Sequence, residues 1–327
     1  MKRFTTIILI LLLMLTTALS GCTQNANQRD GKISIVCTIF PQYDWVRQIL
    51  GDKADSMDLT LLLNNRIDLH NYQPSVDDIV KISACDLFIY VGGESDGWVD
   101  DALKQATNKN MIVINLLDTL GDAVKIEETI EGMEVDDHEE DDDDRGHESD
   151  YDEHVWLSLR NAQMFCYAIT DAISSLNAEN TELFRNNLAL YIEKLSTLDL
   201  DYQAAMNAAP IKTLLFGDRF PFRYLVDDYG LSYHAAFVGC SAETEAGFDT
   251  IIFLAEKMDE LGLKNIIVTE SSDKKIAETI IRESKGTNQR IFVLNAMQSI
   301  SKNNVTNGMT YLSIMENNLN VLKEALK

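Results

Sequence analysis

Beyond a polar stretch, "TQNANQRDG", apolar positions fall into short continuous blocks separated by amphipathic ones. "KISIVCTIF" is an apolar run of strand length, and "YDWVRQIL", after Pro41, carries its apolar residues at helical spacing as far as Gly51. "MDLTLLL" reads as the next strand, and the loop "NNRIDLHNYQP" follows it. Ser75 and Asp78 stand three residues apart at the head of "SVDDIVKIS", the spacing of a capping box, so a helix is predicted to begin there. "CDLFIYVGG" is a third strand, "GWVDDALKQA" a helix and "MIVINLL" a fourth strand. Strands that alternate with helices must pair in parallel, in a sheet covered on both faces.

An acidic segment interrupts this rhythm, and a helix resumes at "SLRNAQMFCYAITDAISSL". In the stretch after it, Leu188, Ile192, Leu195 and Tyr202 keep helical spacing with no internal Gly or Pro, which predicts one long helix up to Pro210. The alternation then starts again, with strands "IKTLLFGD", "LSYHAAFVG", "KNIIVTE" and "RIFVLNA" interleaved with helices and closed by "TYLSIMENNLNVLKEALK". The predicted fold class is therefore α/β, with two four-stranded parallel-sheet lobes joined by one long rigid helix. The boundaries are an N-terminal lobe over 32–179, a connecting helix over 180–209 and a C-terminal lobe over 210–327. With few Pro or Gly near it, that helix implies small lobe movements. Ligands of open α/β sheets sit beyond the carboxyl ends of the strands, so the residues just past each strand are where chemistry is expected.

A chain of 327 residues suits two domains. Its net charge of −24 is unevenly placed: Glu131 to Glu153 holds fourteen acids against one arginine. That segment is an acidic insertion, 131–153, expected to be flexible, and such a chain repels nucleic acid and attracts cations. The N-terminus, "MKRFTTIILILLLMLTTALSGC", has two basic residues, an apolar run too short to span a membrane, and small residues before Cys22. Leu19 to Cys22 resembles the lipobox of bacterial lipoproteins. That likeness implies a signal peptide over 1–21, a linker over 22–31, and a chain tethered through lipid on Cys22 to the extracytoplasmic face of the cell membrane. Cys37, Cys85, Cys166 and Cys240 show neither a CxxC pair nor a metal-finger spacing.

Two of the five histidines stand in loops at the mouth of the first half: His70 in "DLHNYQP" and His154 in "DEHVWL". Each has a carboxylate beside it, Asp68 for the first and Glu153 for the second. Imidazole nitrogens with carboxylate oxygens form the ligand set of Zn²⁺ and, with more oxygen, of Mn²⁺. Neighbouring acids can fix the ring tautomers. His234 lies in a strand and reads as a hydrogen-bonded core histidine. Cys240, in "GCSAETE", is a thiol that could ligate zinc, as Glu243 and Glu245 beside it could with oxygen.

"DLHNYQPSVDDI" and "DEHVWLSLRNA" resemble two long motifs of the metal-binding solute receptors of ATP-driven importers, the cluster A-I type that delivers zinc or manganese. The likeness covers nearly all of the chain after the signal segment. It implies two α/β lobes joined by a rigid helix, a metal site in the interlobe cleft, and His70 and His154 among its ligands. It also implies a membrane permease as partner, a monomer, no nucleic-acid partner and no enzymatic activity. The family's acidic, His-rich loop gathers metal; here it carries only His138 and His147, so weak capture stands beside a merely solvated insertion.

The chain departs from the family in two places. "RFPFRYLVDDYGL" puts Arg219 where the family has a third ligand, and a guanidinium cannot ligate a cation. "NAMQSIS" has no acid where many members have one. From the second lobe the expected ligands are Asp218, next to Arg219, and Glu270, which matches a glutamate of the family pattern. Zinc is the expected ion, with manganese the alternative. A receptor or adhesin that has lost metal binding, and a metallohydrolase, are the rival readings; the second has no HExxH motif.

Overall fold

The computed structural model describes residues 32–134, 151–241 and 245–327. The expected signal segment, Cys22, the linker, His138, His147, most of the acidic insertion and Glu243 lie outside the described residues.

The first half opens with β1 (Ser34–Cys37) and α1 (Phe40–Leu50), followed by β2 (Asp58–Leu61), α2 (Val76–Ala84) and β3 (Leu87–Tyr90). α3 (Val99–Lys104), β4 (Ile112–Asn115) and the short α4 (Leu116–Leu120) complete it. The strands pair in parallel in the order β2-β1-β3-β4, with Ile35 opposite Leu59 and Leu87. β1 is the buried centre: Ile35, Val36 and Cys37 are wholly inaccessible, as a strand covered on both faces requires. Ser75 and Asp78 form the expected reciprocal cap of α2. Asn115 ends β4 by capping α4, so the apolar run "MIVINLL" is divided between a strand and a helix.

α5 (Leu159–Leu176) leads to α6 (Thr181–Ala208), the long connecting helix of 28 residues. The second half is β5 (Thr213–Phe220), α7 (Arg223–Tyr229), β6 (Ser232–Val238), α8 (Phe248–Glu260), β7 (Asn265–Thr269), α9 (Lys275–Glu283) and β8 (Arg290–Leu294). α10 (Lys302–Thr306) and α11 (Tyr311–Ala325) close the chain. The second sheet is also parallel, with the equivalent order β6-β5-β7-β8. The expected fold class, two four-stranded parallel lobes with a long helix between them, is thus the observed one.

Ile33–Lys327 forms one compact unit. A continuous apolar core runs through it, from Ile35 and Phe88 of the first sheet through Trp156 and Phe165 to Phe216, Tyr311 and Leu322. A smaller cluster, with Leu215, Leu254, Ile266 and Ile280, covers the other face of the second sheet. Polar ties cross between the halves: Trp156 Nε1 donates to the Ala296 carbonyl at 2.9 Å, and Tyr224 Oη to the Asp152 carbonyl at 3.0 Å. These buried bonds fix the loop ends of the two sheets against each other.

Candidate metal centre

His70 sits in a single 3₁₀ turn, Leu69–Asn71, beyond the carboxyl end of β2. Asp68 caps that turn by accepting the His70 backbone N–H at 3.2 Å. His154 immediately precedes the 3₁₀ turn Val155–Leu157, and is completely buried. The Asp152 carboxylate accepts both its backbone N–H, at 2.8 Å, and its ring Nδ1, at 3.0 Å.

Two loops 84 residues apart therefore deliver two imidazoles to one point, with their Nε2 atoms 3.2 Å apart. The Nδ1 of His70 is held by Ser95 Oγ at 2.7 Å, with Glu153 Oε2 at 3.4 Å. With each Nδ1 facing an acceptor, the neutral rings carry their protons there and turn both Nε2 lone pairs inward. The side-chain amide nitrogen of Gln298 occupies the convergence point, 3.0 Å from His154 Nε2 and 3.2 Å from His70 Nε2. An amide N–H₂ gives a proton to each lone pair and so stands where a cation would stand.

Charge around the pair is arranged to match. Burial and the neighbouring His154 push His70 down to about 3, against the pull of Asp68. His154 moves the other way: burial opposes its charge, but Asp152, then Glu153 and Glu127, outweigh it. Burial raises Glu153 to about 7 although Ser95 donates its N–H to Oε1 at 2.8 Å. Gly93, at φ +82°, makes room for that carboxylate, since a Cβ there would lie 2.4 Å from Glu153 Oε1.

Of the two acids that adjacency suggested, Asp68 serves the His70 turn, but Glu153 pairs with the other ring. Glu153, next to His154, turns toward His70, and Asp152 orients His154. Ser95 and Gln298 carry no signal of their own in the sequence, where Asp152 appears only as the first residue of the "DEHVWLSLRNA" motif.

The second lobe places its expected ligands elsewhere. Asp218 Oδ2 accepts from the backbone and hydroxyl of Thr269 at 2.9 and 2.7 Å, while Oδ1 accepts the Arg219 N–H. That carboxylate ties β5 to the end of β7. Glu270 accepts the N–H groups of Ala296, Gln298 and Ser299 at 2.8, 2.9 and 3.3 Å, and so fastens the loop that carries Gln298. Neither carboxylate is turned to the imidazole pair, because each is used up on backbone donors.

Arg219 reaches across to Asp68, with Nη2 2.7 Å from Oδ2, and also donates to the Ser241 carbonyl at 3.3 Å. A register shift between Phe216 and Arg219 inserts one extra residue in β5 and re-aims this side chain. Cys240, in the loop after β6, does face the pair: its sulfur and one nitrogen of each ring lie within 4.8 Å of one another. Its N–H donates to Glu127 Oε1 at 2.8 Å. Burial, then Glu127, Glu153 and Asp152, raise the thiol well above its ordinary value. Gly239 lets this loop close on His154, since a Cβ there would stand 2.9 Å from the ring Cε1.

His234 lies apart, packed edge-on to Phe253 with centroids 6.0 Å apart. Its buried Nδ1 has no hydrogen-bond partner among the described residues, contrary to the bonded core histidine expected. Glu245 is exposed. No described helix is long and apolar enough to cross a membrane.

Known proteins resemble this chain over most of its described length. The chain is 31% identical over 300 residues to the zinc-binding lipoprotein AdcA of Streptococcus pneumoniae, covering 92% of this chain and 57% of AdcA. It thus spans little more than half the length of that relative. The high-affinity zinc uptake system protein ZnuA of Bacillus subtilis is 29% identical over 307 residues, 94% of this chain and 92% of ZnuA. The crystal structure of the Zn(II)-bound ZnuA-like domain of S. pneumoniae AdcA superposes with a TM-score of 0.70 at 29% identity, over 90% of this chain and 99% of that domain. The family model described as "Zinc-uptake complex component A periplasmic" matches residues 35–325, nearly the whole described unit, and the chain belongs to that family.

Proposed function

We propose that this protein is the extracytoplasmic receptor of a zinc importer: it captures Zn²⁺ in the cleft on His70 and His154 and passes it to an ATP-driven membrane permease. The convergence of two Nε2 atoms at 3.2 Å carries the reading. At metal–nitrogen bonds of about 2.0–2.1 Å, two ligands of a tetrahedral zinc stand about 3.3 Å apart. The pair is pre-set for one ion, with Gln298 swinging out as the ion enters. Zinc is favoured over manganese because the nearby carboxylates are spent on backbone and side-chain donors, leaving a donor set poor in oxygen. The family and the relatives' names support zinc uptake and no catalytic step. Tethering through Cys22 at the membrane surface and a monomeric state complete the proposal.

Zinc that binds only the folded state must raise its melting point, by the equivalent of about 2.7 kcal/mol at a hundredfold excess over Kd. A zinc-dependent rise in Tm that disappears on chelation is expected. No shift at saturating zinc would favour a receptor or adhesin without a metal site.

A further inference from the structure

Two imidazoles do not complete a zinc site, and among the described residues of the second lobe no free acid joins them: Arg219 is a cation, and Asp218 and Glu270 are engaged elsewhere. We propose that Cys240 supplies a thiolate to the same ion from the loop after β6, so that one sulfur from the second lobe closes the site opened by two nitrogens of the first. The inference rests on the metal-receptor reading and specifies its donor set.

Three independent placements support it. The sulfur and one nitrogen of each ring already lie within 4.8 Å of one another. In a tetrahedral site with metal–sulfur bonds of about 2.3 Å and metal–nitrogen bonds of about 2.0–2.1 Å, a nitrogen and a sulfur are about 3.6 Å apart, so a small rotation of the Cys240 side chain suffices. The loop is also fixed on the ring from both sides of the cysteine. Gly239 packs against the edge of His154 with no room for a Cβ, and the Ser241 carbonyl accepts from Arg219. Arg219 in turn grips Asp68, which caps the His70 turn. The arginine thus takes no part as a ligand, but it draws the loop bearing Cys240 toward the loop bearing His70. Finally, Cys37, Cys85 and Cys166 are buried in the first-lobe and helix core, which leaves Cys240 as the one described cysteine that meets the cleft.

A sulfur donor suits zinc and disfavours manganese, so the substitution of a thiol for an oxygen ligand tightens selectivity in the direction proposed above. Cobalt(II) tests this without recourse to transport. The full chain loaded with Co²⁺ is expected to show a sulfur-to-metal charge-transfer band in the near ultraviolet. Cys240→Ser should abolish the band and weaken zinc binding by about a hundredfold or more, beyond the roughly 10- to 100-fold that loss of a merely supporting group costs. Cys240→His should abolish the band while keeping tight binding, which shows that the fold and the site survive. A band that persists in Cys240→Ser, or a parent protein that binds Co²⁺ through His70 and His154 with no band, overturns the thiolate ligand and leaves the receptor reading intact. Co²⁺ binding that survives both His70→Ala and His154→Ala overturns that reading itself.

Discussion

Asp152 is the side chain on which the orientation of His154 depends most, and its replacement gives a graded test of the site. One carboxylate oxygen accepts from the His154 backbone and from Nδ1, at 2.8 and 3.0 Å, in a place where the imidazole has no contact with water. Asp152→Ala removes both bonds. It leaves a buried ring donor unpaired, at about 1–3 kcal/mol of folding stability, and frees the ring to turn its Nε2 away from His70. Supporting partners of a ligating histidine are worth 10- to 100-fold in metal affinity, so the variant should bind zinc more weakly by about 1.4–2.8 kcal/mol. Asp152→Asn keeps an acceptor oxygen but loses the charge, and should fall at the mild end of that range.

The pH dependence should move as well. Proton and zinc compete for Nε2, so affinity falls as acid titrates His154, whose pKa is raised chiefly by Asp152 against the effect of burial. Without Asp152 that loss of affinity should begin at lower pH. Competition titration against a zinc chelator across a pH series measures both effects. A folded Asp152→Ala protein with zinc affinity within about threefold of the parent and the same pH profile would refute the reasoning.

Other perturbations probe the frame. Trp156 is buried and its indole N–H holds the Ala296 carbonyl, so Trp156→Ala should lower the unfolding free energy by about 3–5 kcal/mol in urea titrations. Glu270→Ala should loosen the 296–299 loop and lower Tm, while Glu270→Gln, which presents an N–H₂ to an N–H, should do so less; if zinc binding fails in both with Tm unchanged, Glu270 is a ligand and not a fastener. Burial lifts Asp96 from 3.8 to about 6, one oxygen accepting two backbone N–H groups and the other having no partner. The folded state thus holds a proton that the unfolded state releases first, and stability falls as pH rises through that window. Asp96→Asn should flatten that slope in thermal melts and stabilise the protein above pH 6 by up to about 3 kcal/mol.

The two lobes were legible because each strand is a continuous apolar run and each connection carries a helical period, and both signals are local. His70 and His154 could be singled out because long motifs surround them, one just past an apolar run and the other just past the acidic segment. The supporting acids could not, because nothing local decides which ring a carboxylate will face: Asp152 and Glu153 are neighbours in the chain, yet serve different rings. Asp218 and Glu270 failed to meet the cleft for a similarly non-local reason. Whether an acid at a strand end faces a ligand or the next loop depends on the one-residue shift in β5 and on the backbone donors of 296–299. Gln298 escaped notice because its role is visible only once both rings are in place.

The central claim is that one ion is shared by two imidazoles, and stoichiometric zinc titration of the protein and of its His70→Ala and His154→Ala variants tests it directly. One tight site is expected in the parent, and its loss in each variant with Tm in the absence of zinc little changed. A tight site that persists in either variant would contradict the account.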